Sequence, residues 1–323
     1  MSVDKDQIWI LLDDRAGNRS QVIGVAKCLH RPVENKNLIY NPLAKLPNII
    51  TPPTFATLSQ ISQKGFVPPW PGLVIGAGRR TATIARQIKN LSAGATRIVQ
   101  IMDPGAITKD FDLICVPAHD ARKKSSNVFQ IIGAPHSLTP EVMSASREKW
   151  LPKLSHLPTP RIAVIVGGST RRRKFTHGMA TSLGLAASAM AEKTGGSLLI
   201  TTSRRSADIQ QTLINSIHAQ NEFFQWEDKQ ENPYVGYLSC ADRIIVTGES
   251  VSMCTEACAS TAPVYLFAPP NLVTTKHQRF HQYLIDNGYA QYLGEVGEDE
   301  TRQHPILNPS FEIAEMIRSI MEW

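Results

Sequence analysis

Residues 161–174 read RIAVIVGGSTRRRK, in which an apolar run enters two glycines and then a cluster of cationic side chains. A continuous apolar run that ends in a glycine turn is typical of a buried parallel strand. The small-residue stretch that follows, MATSLGLAASAMAEKT (179–194), predicts a helix. The motif therefore indicates a strand–turn–helix unit. Its turn lies at the carboxyl end of the strand, where open α/β sheets bind ligands.

The same unit recurs on both sides of this stretch. Other apolar runs that end in a Gly, Asp, Ser or Pro turn occupy residues 8–12, 73–75, 97–101, 111–116, 128–132, 197–200, 243–246 and 264–267. Two successive sets of such units predict an α/β protein with two doubly wound, Rossmann-like domains that face a cleft.

A segment from about residue 140 to 160 separates the two sets and ends in the proline-rich LPKLSHLPTP. Because it lacks a clean period, we interpret it as the interdomain connection. We therefore expect an N-terminal domain over 1–155, a C-terminal domain over 156–305, and a C-terminal helix over 306–323 that can pack back on the N-terminal domain.

The composition fits a folded chain of two domains: it has 323 residues, of which 42% are hydrophobic and 19% are charged. The net charge of +6 suits anionic partners such as nucleotides, phosphosugars or a membrane surface without selecting one. The N-terminus does not read as a signal peptide, and no apolar run approaches about 20 residues. We expect a cytoplasmic protein, with peripheral contact to the inner membrane as an option. The expected partner is a small-molecule nucleotide sugar and not nucleic acid, and the protein partners stay open.

The five cysteines are scattered, which makes a poor disulfide framework and indicates a reducing compartment. Cys254 and Cys258 are spaced to share a helix face. No further ligand lies near them in sequence, so core packing is the simpler interpretation. We therefore expect no metal site.

Three turns of the C-terminal half combine groups that suit the phosphates and ribose of a nucleotide sugar. Glycines let the backbone approach a ligand closely, guanidinium groups and helix N-termini bind phosphate oxygens, and a carboxylate can accept hydrogen bonds from ribose hydroxyls. A capped helix and flexible basic loops are the alternative interpretation. The candidate nucleotide-sugar ligands are Gly167, Gly168, Ser169, Arg171, Ser203, Arg204, Arg205, Gly248, Ser250, Val251, Ser252, Met253 and Glu256.

The turns of the N-terminal half hold the candidate catalytic residues. His119 is the first choice for a general base, because a loop histidine at a strand end can titrate near neutrality. Asp120 and Asp14 can orient it or act in its place, and the same side chains can instead stabilise turns. The candidate acceptor-side residues are Gly17, Asn18, Gln21, Gly76, Gly78, Arg79, Arg80 and Asp103.

Several common site motifs are missing from the chain. It contains no G-x-G-x-x-G fingerprint, no G-x-x-x-x-G-K-[ST] loop, no G-x-S-x-G elbow and no H-E-x-x-H pair. A nucleoside-diphosphate-sugar epimerase, which we take to need a dinucleotide fingerprint, is therefore a disfavoured third hypothesis. A P-loop ATPase and the common hydrolases are disfavoured as well. Asn232 and Tyr234, in NPYVGYL, are further cleft candidates, with helix capping as the alternative.

Several blocks in the right order resemble the elongated-mitochondria (ELM) family, from about Ile8 to Leu293. They read DDRAGNRSQ, VIGAGRRT, QIMDP, FDLICVPAHD, TTSRRS, NPYVGYL, IIVTGESVSM and EACASTAPVYLF. The resemblance implies a GT-B-like architecture whose C-terminal half is similar to that of lipid-linked peptidoglycan N-acetylglucosaminyltransferases. It also implies that the Gly167–Gly168 turn and the Ser250–Met253 helix start hold a diphosphate, and that Glu256 holds ribose. The chain departs from the family pattern at Glu249, where the resemblance leads us to expect aspartate.

Two functions follow as hypotheses. The first is a GT-B-type glycosyltransferase that needs no metal or bound cofactor and moves a sugar from a nucleotide diphosphate sugar to an acceptor, with a membrane-associated acceptor as one option. The second is a non-catalytic adaptor or scaffold of the ELM type at a membrane surface, since a fold does not by itself imply catalysis.

Overall fold

The computed structural model describes residues 2–48, 50–105, 108–120, 125–294 and 303–323. The chain divides into two compact units. The first unit comprises Met1–Ser137 and Pro309–Trp323, and the second unit comprises Leu138–Asn308.

The first unit is built on a parallel sheet. Its six strands are β1 (Val3–Leu12), β2 (Val33–Asn37), β3 (Trp70–Ala77), β4 (Arg97–Ile101), β5 (Leu113–Pro117) and β6 (Val128–Ile131). They pair in the order β2-β1-β3-β4-β5-β6. Helix α1 (Ala16–Cys28) follows β1, a short α2 (Gln60–Gln63) precedes β3, and α3 (Arg79–Leu91) follows β3.

Helices cover both faces of this sheet, as the side chains of β1 demonstrate. Ile8, Ile10 and Leu12 pack in a buried cluster with α1. Trp9 and Leu11 pack in a second cluster with α3, because successive side chains of a strand point to opposite faces. Burial on both faces explains why the central strands are apolar throughout rather than alternating.

The second unit also has a six-stranded parallel sheet. Its strands are β7 (Arg161–Val166), β8 (Ser197–Thr202), β9 (Asn221–Phe224), β10 (Arg243–Thr247), β11 (Val264–Phe267) and β12 (Gln291–Tyr292). They pair in the order β12-β11-β10-β7-β8-β9. Counted within the unit from the β9 edge, this is the order 3-2-1-4-5-6 of Rossmann sheets, which reverses direction between β7 and β10. The helices are α4 (Pro140–Trp150), α5 (His177–Thr194), α6 (Gln210–Asn215), α7 (Tyr234–Cys240), α8 (Val251–Ala257) and α9 (Thr275–Asp286).

Helix α4 lies where the sequence predicted an irregular connection. Thr139 caps its N-terminus by accepting a hydrogen bond from the Val142 N–H, and Pro140 occupies its first turn. The ring of Trp150 packs edge-on against Tyr237 of α7, with 6.3 Å between centroids. The boundary between the units therefore falls after Ser137 and not at residue 155, because α4 is part of the packing of the second unit.

The final helix, α10 (Pro309–Met321), belongs to the first unit. Its Ile313 and Ile317 are fully buried in the cluster that α1 forms with β1. The Ser310 hydroxyl donates to the His136 carbonyl at 2.8 Å and accepts from the His136 N–H at 3.0 Å. The chain thus leaves the first unit, builds the second and returns to complete the first.

All five cysteines are buried free thiols. The Cys254 thiol lies 3.6 Å from the Thr247 carbonyl and the Cys258 thiol 3.8 Å from the Tyr289 carbonyl, so both are packed within the second unit. Within the described ranges, no group of three or more His, Cys, Asp or Glu side chains is arranged to hold a metal ion. In the same ranges, no helix has the length and apolar character needed to cross a membrane.

Candidate functional site

The three glycine-bearing or basic turns of the second unit follow β10, β7 and β8, which are adjacent strands. They therefore meet at one edge of the sheet, and the turn after β7 lies at the point where the strand order reverses. This is the position at which doubly wound sheets bind ligands.

In the turn after β7, close neighbours leave no room for a Cβ at either glycine. A Cβ on Gly167 would lie 2.0 Å from Oε1 of Glu249 and 2.8 Å from Nη2 of Arg205. A Cβ on Gly168, whose φ is +112°, would lie 2.4 Å from the Arg205 carbonyl oxygen. The glycines thus make room for protein side chains and backbone in this turn.

Glu249 lies at the centre of this edge, with none of its side chain exposed. Its Oε1 accepts a hydrogen bond from the Gly168 N–H at 2.7 Å and lies 3.4 Å from Nη2 of Arg205. Among the described residues, its Oε2 is buried without a hydrogen-bond partner. Burial raises the pKa of Glu249, although Arg205 acts in the opposite direction. The sequence marked Glu249 only as a departure from the family pattern, whereas the structure makes it the residue around which the turns are organised.

The backbone amides of the turn after β7 are engaged within the protein. The Gly167 N–H donates to the Thr247 hydroxyl at 2.8 Å, the Gly168 N–H donates to Glu249, and the Ser169 N–H donates to the Arg205 carbonyl at 3.0 Å. In this conformation, all three amides therefore donate to groups of the protein itself.

The basic residues of this edge are held by short turns. Ser203 caps the 3-10 helix Arg204–Ile209, and its hydroxyl donates to the Gly167 carbonyl. The side chain of Arg205 is 35% exposed, so it can reach a ligand while paired with Glu249. The loop after Ser169 closes on itself, since the Thr170 N–H donates to the Arg173 carbonyl at 2.7 Å, and Arg171 is exposed on it.

Tyr234 and Glu256, predicted separately, form a pair. The Tyr234 hydroxyl donates to Oε2 of Glu256 at 2.5 Å, and both residues are partly exposed. Burial raises the pKa of each group, and the Glu256 carboxyl adds to the effect on Tyr234. Oε1 of Glu256 can therefore accept from a ligand hydroxyl while Tyr234 holds Oε2. Asn232 has the alternative role considered from the sequence: its Oδ1 accepts from the Tyr234 N–H at 2.9 Å at the start of α7.

The first turn of α8 completes this edge. The hydroxyl of Ser250, the N-cap, accepts from the Met253 N–H at 3.5 Å. Val251, Ser252 and Met253 are all partly exposed.

Two histidines on α9 were not predicted from the sequence as site residues. His281 is completely buried, and its Nε2 lies 2.7 Å from the Gly248 carbonyl oxygen. Burial lowers the pKa of His281 to about 4, so the ring is neutral and Nε2 carries the donating proton. One turn earlier, Nδ1 of His277 accepts from the Thr274 N–H at 3.2 Å, and burial lowers its pKa. Two histidines four residues apart after an apolar run are the sequence signal that could have found this pair.

Gly248 is closely packed against the imidazole of His281. A Cβ on Gly248 would lie 2.6 Å from Cε1 of that ring. The glycine predicted to approach a ligand instead approaches His281.

In the first unit, five residues meet at the carboxyl ends of β1 and β3, where the order of that sheet reverses. Asp13 is buried, and its Oδ2 accepts from Asn18 at 2.8 Å and from Arg80 at 3.2 Å. A Cβ on Gly78, whose φ is +76°, would lie 2.7 Å from the Asn18 amide nitrogen. Arg80 also pairs with Asp14, and this hydrogen bond lowers the pKa of Asp14. A carboxylate with a lowered pKa is a weaker general base, which disfavours Asp14 in the role considered for it.

Other acceptor-side candidates stabilise local structure. The Arg79 guanidinium binds the Ala44 carbonyl at 3.2 Å and Oδ1 of Asn48 at 3.3 Å. Oδ1 of Asp103 accepts from the Gly105 N–H at 2.7 Å, which closes a turn. Gln21 is buried on α1. Gly17 has open space around it, and a Cβ on Gly76 would meet the Thr81 hydroxyl at 2.8 Å.

His119 and Asp120 lie on the 3-10 helix that follows β5. Nε2 of His119 is 3.8 Å from Oδ1 of Asp120, and their side chains are 2% and 24% exposed. Strand β4 separates them from the cluster of Asp13 and Arg80. The structure thus brings the two residues together but leaves Asp120 as the more accessible group.

A cavity of about 720 Å³ lies at the opposite edge of the second sheet. It is lined by residues that precede β7, β10 and β11, among them Pro160, Asp242 and Pro263. Because ligands of doubly wound sheets bind beyond the carboxyl ends of strands, its position separates it from the turns described above.

Comparisons with known proteins cover most of the chain. A family model described as mitochondrial fission ELM1 matches residues 16–321. An uncharacterized protein of Rickettsia prowazekii is 30% identical over 96% of this chain and 97% of its own length. The mitochondrial fission protein ELM1 of Arabidopsis thaliana is 25% identical over 77% of this chain, and the matched region covers 63% of that protein. The crystal structure of the UDP-GlcNAc 2-epimerase of Methanocaldococcus jannaschii in complex with UDP-GlcNAc and UDP is similar, with a TM-score of 0.57, 9% identity, and coverage of 98% of this chain and 100% of that one. At this identity the likeness shows the fold alone, which is GT-B-like.

Proposed function

The chain belongs to the mitochondrial fission ELM1 family, and from that premise we propose that it is a GT-B-type glycosyltransferase. It transfers a sugar from a nucleotide diphosphate sugar to an acceptor hydroxyl. The second unit binds the donor, and the first unit provides the acceptor side.

Two observations carry this proposal. Arg205 and Ser250 follow the carboxyl ends of the neighbouring strands β8 and β10 on either side of β7. The hydroxyl of Tyr234, at the start of α7, is hydrogen-bonded to Glu256 of α8. These groups fit the parts of a nucleotide diphosphate. Glu256, held by Tyr234 at 2.5 Å, accepts from a ribose hydroxyl through its other oxygen. Arg205, Arg204 and Arg171 bind the phosphate oxygens by charge-assisted hydrogen bonds.

We propose the following reaction for these groups. The acceptor oxygen attacks the anomeric carbon, a glycosidic C–O bond forms, and the bond from that carbon to the phosphate oxygen breaks. The electron pair leaves with the nucleoside diphosphate, whose growing charge the guanidinium groups stabilise. The acceptor proton passes to a base, for which we propose Asp120, with the neighbouring His119 as its partner. Asp120 is chosen because its side chain is the more exposed of the two. The likeness to an epimerase bound to UDP-GlcNAc supports a nucleotide sugar as ligand.

Thermal unfolding with UDP, GDP and UDP-GlcNAc tests the donor site. A nucleotide that binds the folded state raises the melting temperature, and at one hundred times its Kd it adds about 2.7 kcal/mol of stability. Glu256→Gln and Arg205→Gln should each weaken binding about tenfold, the loss of one hydrogen bond to a charged group. Glu231→Gln is the matched control, because this exposed glutamate is paired with Lys149 on the surface of the same unit.

The proposal fails if none of these nucleotides raises the melting temperature of the wild-type protein. Product analysis with UDP-GlcNAc then separates two reactions in a protein that does bind. Release of UDP that depends on added acceptor supports transfer. Conversion of UDP-GlcNAc to its epimer without net UDP release supports an epimerase instead.

A non-catalytic scaffold is the second candidate, and one observation favours it. The charged and amide groups of the turns are largely satisfied by one another, as in the amides of Gly167 and Gly168 and the pairing of Arg80 with Asp13. A scaffold needs only such internally stabilised turns. The nucleotide titration distinguishes this candidate, since a scaffold shows neither binding nor turnover.

A further inference from the structure

Residues 35–102 contain no aspartate or glutamate, although the chain has 28 acidic residues. The same stretch carries eight cationic side chains: Lys36, Lys45, Lys64, Lys89, Arg79, Arg80, Arg86 and Arg97. Six of these cations are engaged within the protein, since five pair with carboxylates and Arg79 binds backbone carbonyls. Lys45 and Lys64 are exposed, and these two can attract an anionic surface.

Within this stretch, the segment 38–67, which we call the 38–67 loop, exposes large apolar side chains. Their exposed fractions range from 44% to 77%, and Ile61 is the most exposed. They are Ile39, Leu43, Leu46, Ile50, Ile61 and Val67. Scattered single apolar residues on a surface are ordinary, but six in one acid-free segment indicate an interaction surface.

The backbone of the 38–67 loop is fixed by hydrogen bonds. Tyr40 and Leu58 form an antiparallel bridge, and the Asn41 amide donates to the Ala56 carbonyl at 2.6 Å and to the Leu58 carbonyl at 3.1 Å. Arg79 holds the Ala44 carbonyl at 3.2 Å. The apolar side chains therefore project into solvent from backbone segments that hydrogen bonds hold in place.

Ile39 and Ile61 lie close together on this scaffold. The Ile39 N–H donates to the Ser62 hydroxyl at 2.9 Å, and the Ile39 carbonyl accepts from the Ser59 N–H at 2.8 Å. Lys64, one turn beyond Ile61, and Lys45, between Leu43 and Leu46, are both exposed. Apolar and cationic side chains are thus interleaved along the loop.

We propose that the 38–67 loop docks the protein on an anionic lipid bilayer. The apolar side chains enter the interfacial layer, and Lys45 and Lys64 contact the headgroups. A nucleic acid would satisfy the cations but would leave the aliphatic side chains without a partner. The inference does not depend on the proposed transfer reaction, and it would hold for a scaffold as well.

Flotation with lipid vesicles tests the surface. The full-length protein should float with vesicles that contain about 30% phosphatidylglycerol and not with pure phosphatidylcholine. Binding should fall as salt rises from about 0.1 to 0.5 M. Lys45→Glu combined with Lys64→Glu should lower the partition coefficient at least tenfold, since each cation near such a surface is worth about fivefold. Ile39→Ser, Leu43→Ser and Ile61→Ser together should lower it by a similar or larger factor.

Matched controls come from the second unit. Leu185 is 48% exposed, and Lys229 is exposed, so Leu185→Ser combined with Lys229→Glu removes equivalent groups outside the loop. This variant should float like the wild type. Melting temperatures check folding, and if a combined variant is destabilised, Ile61→Ser alone takes its place because that side chain is 77% exposed.

Three results would each overturn the inference. In the first, the wild-type protein binds neutral and anionic vesicles equally or binds neither. In the second, the loop variants float like the wild type. In the third, the control variant loses as much vesicle binding as the loop variants do. Sedimentation of the lipid-free protein adds a fourth. If the loop variants convert an oligomer to a monomer and leave vesicle binding unchanged, the surface is covered by a second copy of the chain.

Discussion

Arg205 and Glu249 form an ion pair across the turn that holds Gly167. Nη2 of Arg205 lies 3.4 Å from Oε1 of Glu249, and the side chain of Glu249 is fully buried while that of Arg205 is 35% exposed. The two residues follow β8 and β10, which flank β7, so the pair joins the ends of three adjacent strands. Four tests follow from this pair and from the other buried charged or titratable groups.

Gly167→Ala should destabilise the protein by about 1–3 kcal/mol, the usual cost of overpacking. The added Cβ would lie 2.0 Å from Oε1 of Glu249, so the ion pair must move. Urea unfolding measures the loss. Gly17→Ala is the control, because the space around that helical glycine is open and alanine there should change stability by less than about 1 kcal/mol. Equal effects of the two substitutions would contradict the packing described for Gly167.

Glu249→Gln should change how stability depends on pH. Burial raises the folded-state pKa of Glu249 above its ordinary value of 4.5, so the folded state binds the proton more tightly than the unfolded state. The contribution of this group is therefore full below about pH 4.5 and is lost as the pH rises through the folded pKa. Glutamine keeps an oxygen for the Gly168 N–H but does not ionise.

The stability of Glu249→Gln relative to wild type should therefore increase as the pH rises above about 4.5 through the folded-state pKa. Chemical unfolding at a series of pH values measures the difference, with the exposed Glu227→Gln as control. A difference that stays constant over this range, or decreases, would show that Glu249 is ionised in the folded protein without cost.

His281→Gln should remove a pH dependence of stability that is opposite in sign to that of Glu249. The pKa of His281 is lowered to about 4 from an ordinary value of 6.5, so the unfolded state binds the proton more tightly. The wild type should lose about 3 kcal/mol as the pH falls from 6.5 to 4, since one pKa unit corresponds to about 1.4 kcal/mol. The glutamine amide can still donate to the Gly248 carbonyl. His218→Gln, at an exposed histidine, is the control and should lose stability like the wild type as the pH falls. If His281→Gln loses as much stability as the wild type over this range, the buried ring is not the cause of the loss.

Arg80→Ala should destabilise the first unit by about 3 kcal/mol, because it leaves the carboxylate of Asp13 buried without its cation. The side chain of Asp13 is 1% exposed and that of Arg80 is 15% exposed. Arg97→Ala is the control: its side chain is 52% exposed, and its partner Asp112 keeps Lys89 and the Ile98 N–H, so the loss should be about 0–1 kcal/mol. Urea unfolding followed by tryptophan fluorescence measures the loss, since Trp9, Trp70 and Trp323 of the five tryptophans lie in this unit. A loss as small as that of the control would indicate that Asp13 is stabilised by Asn18 and the backbone alone.

The family and the two-sheet α/β fold predicted from the sequence are confirmed. The central strands were readable because burial on both faces leaves them apolar, as in residues 161–166. Strand β2 (VENKN) was missed because it is a polar edge strand, exposed along most of its length. Helix α4 was missed because only Met143 is buried on it, which gives a weak helical period.

The candidate site was predictable as a set of turns but not as a set of partners. The sequence placed Tyr234 and Glu256 near one edge, yet their hydrogen bond depends on how α7 and α8 pack. The burial of Glu249 depends on neighbours from two other turns, which no local pattern contains. Arg79 and Arg80 read as ligands for an anion, whereas backbone carbonyls and carboxylates of the protein occupy them.

The return of α10 to the first unit sets the order in which a ribosome can complete the two cores. Ile313 and Ile317 fill the cluster beside β1, yet they are synthesised after every residue of the second unit. The second unit is contiguous in the chain and can fold as it emerges, whereas the first unit must wait with an open apolar face. During that interval, the apolar side chains of α1 that α10 later covers are open to solvent.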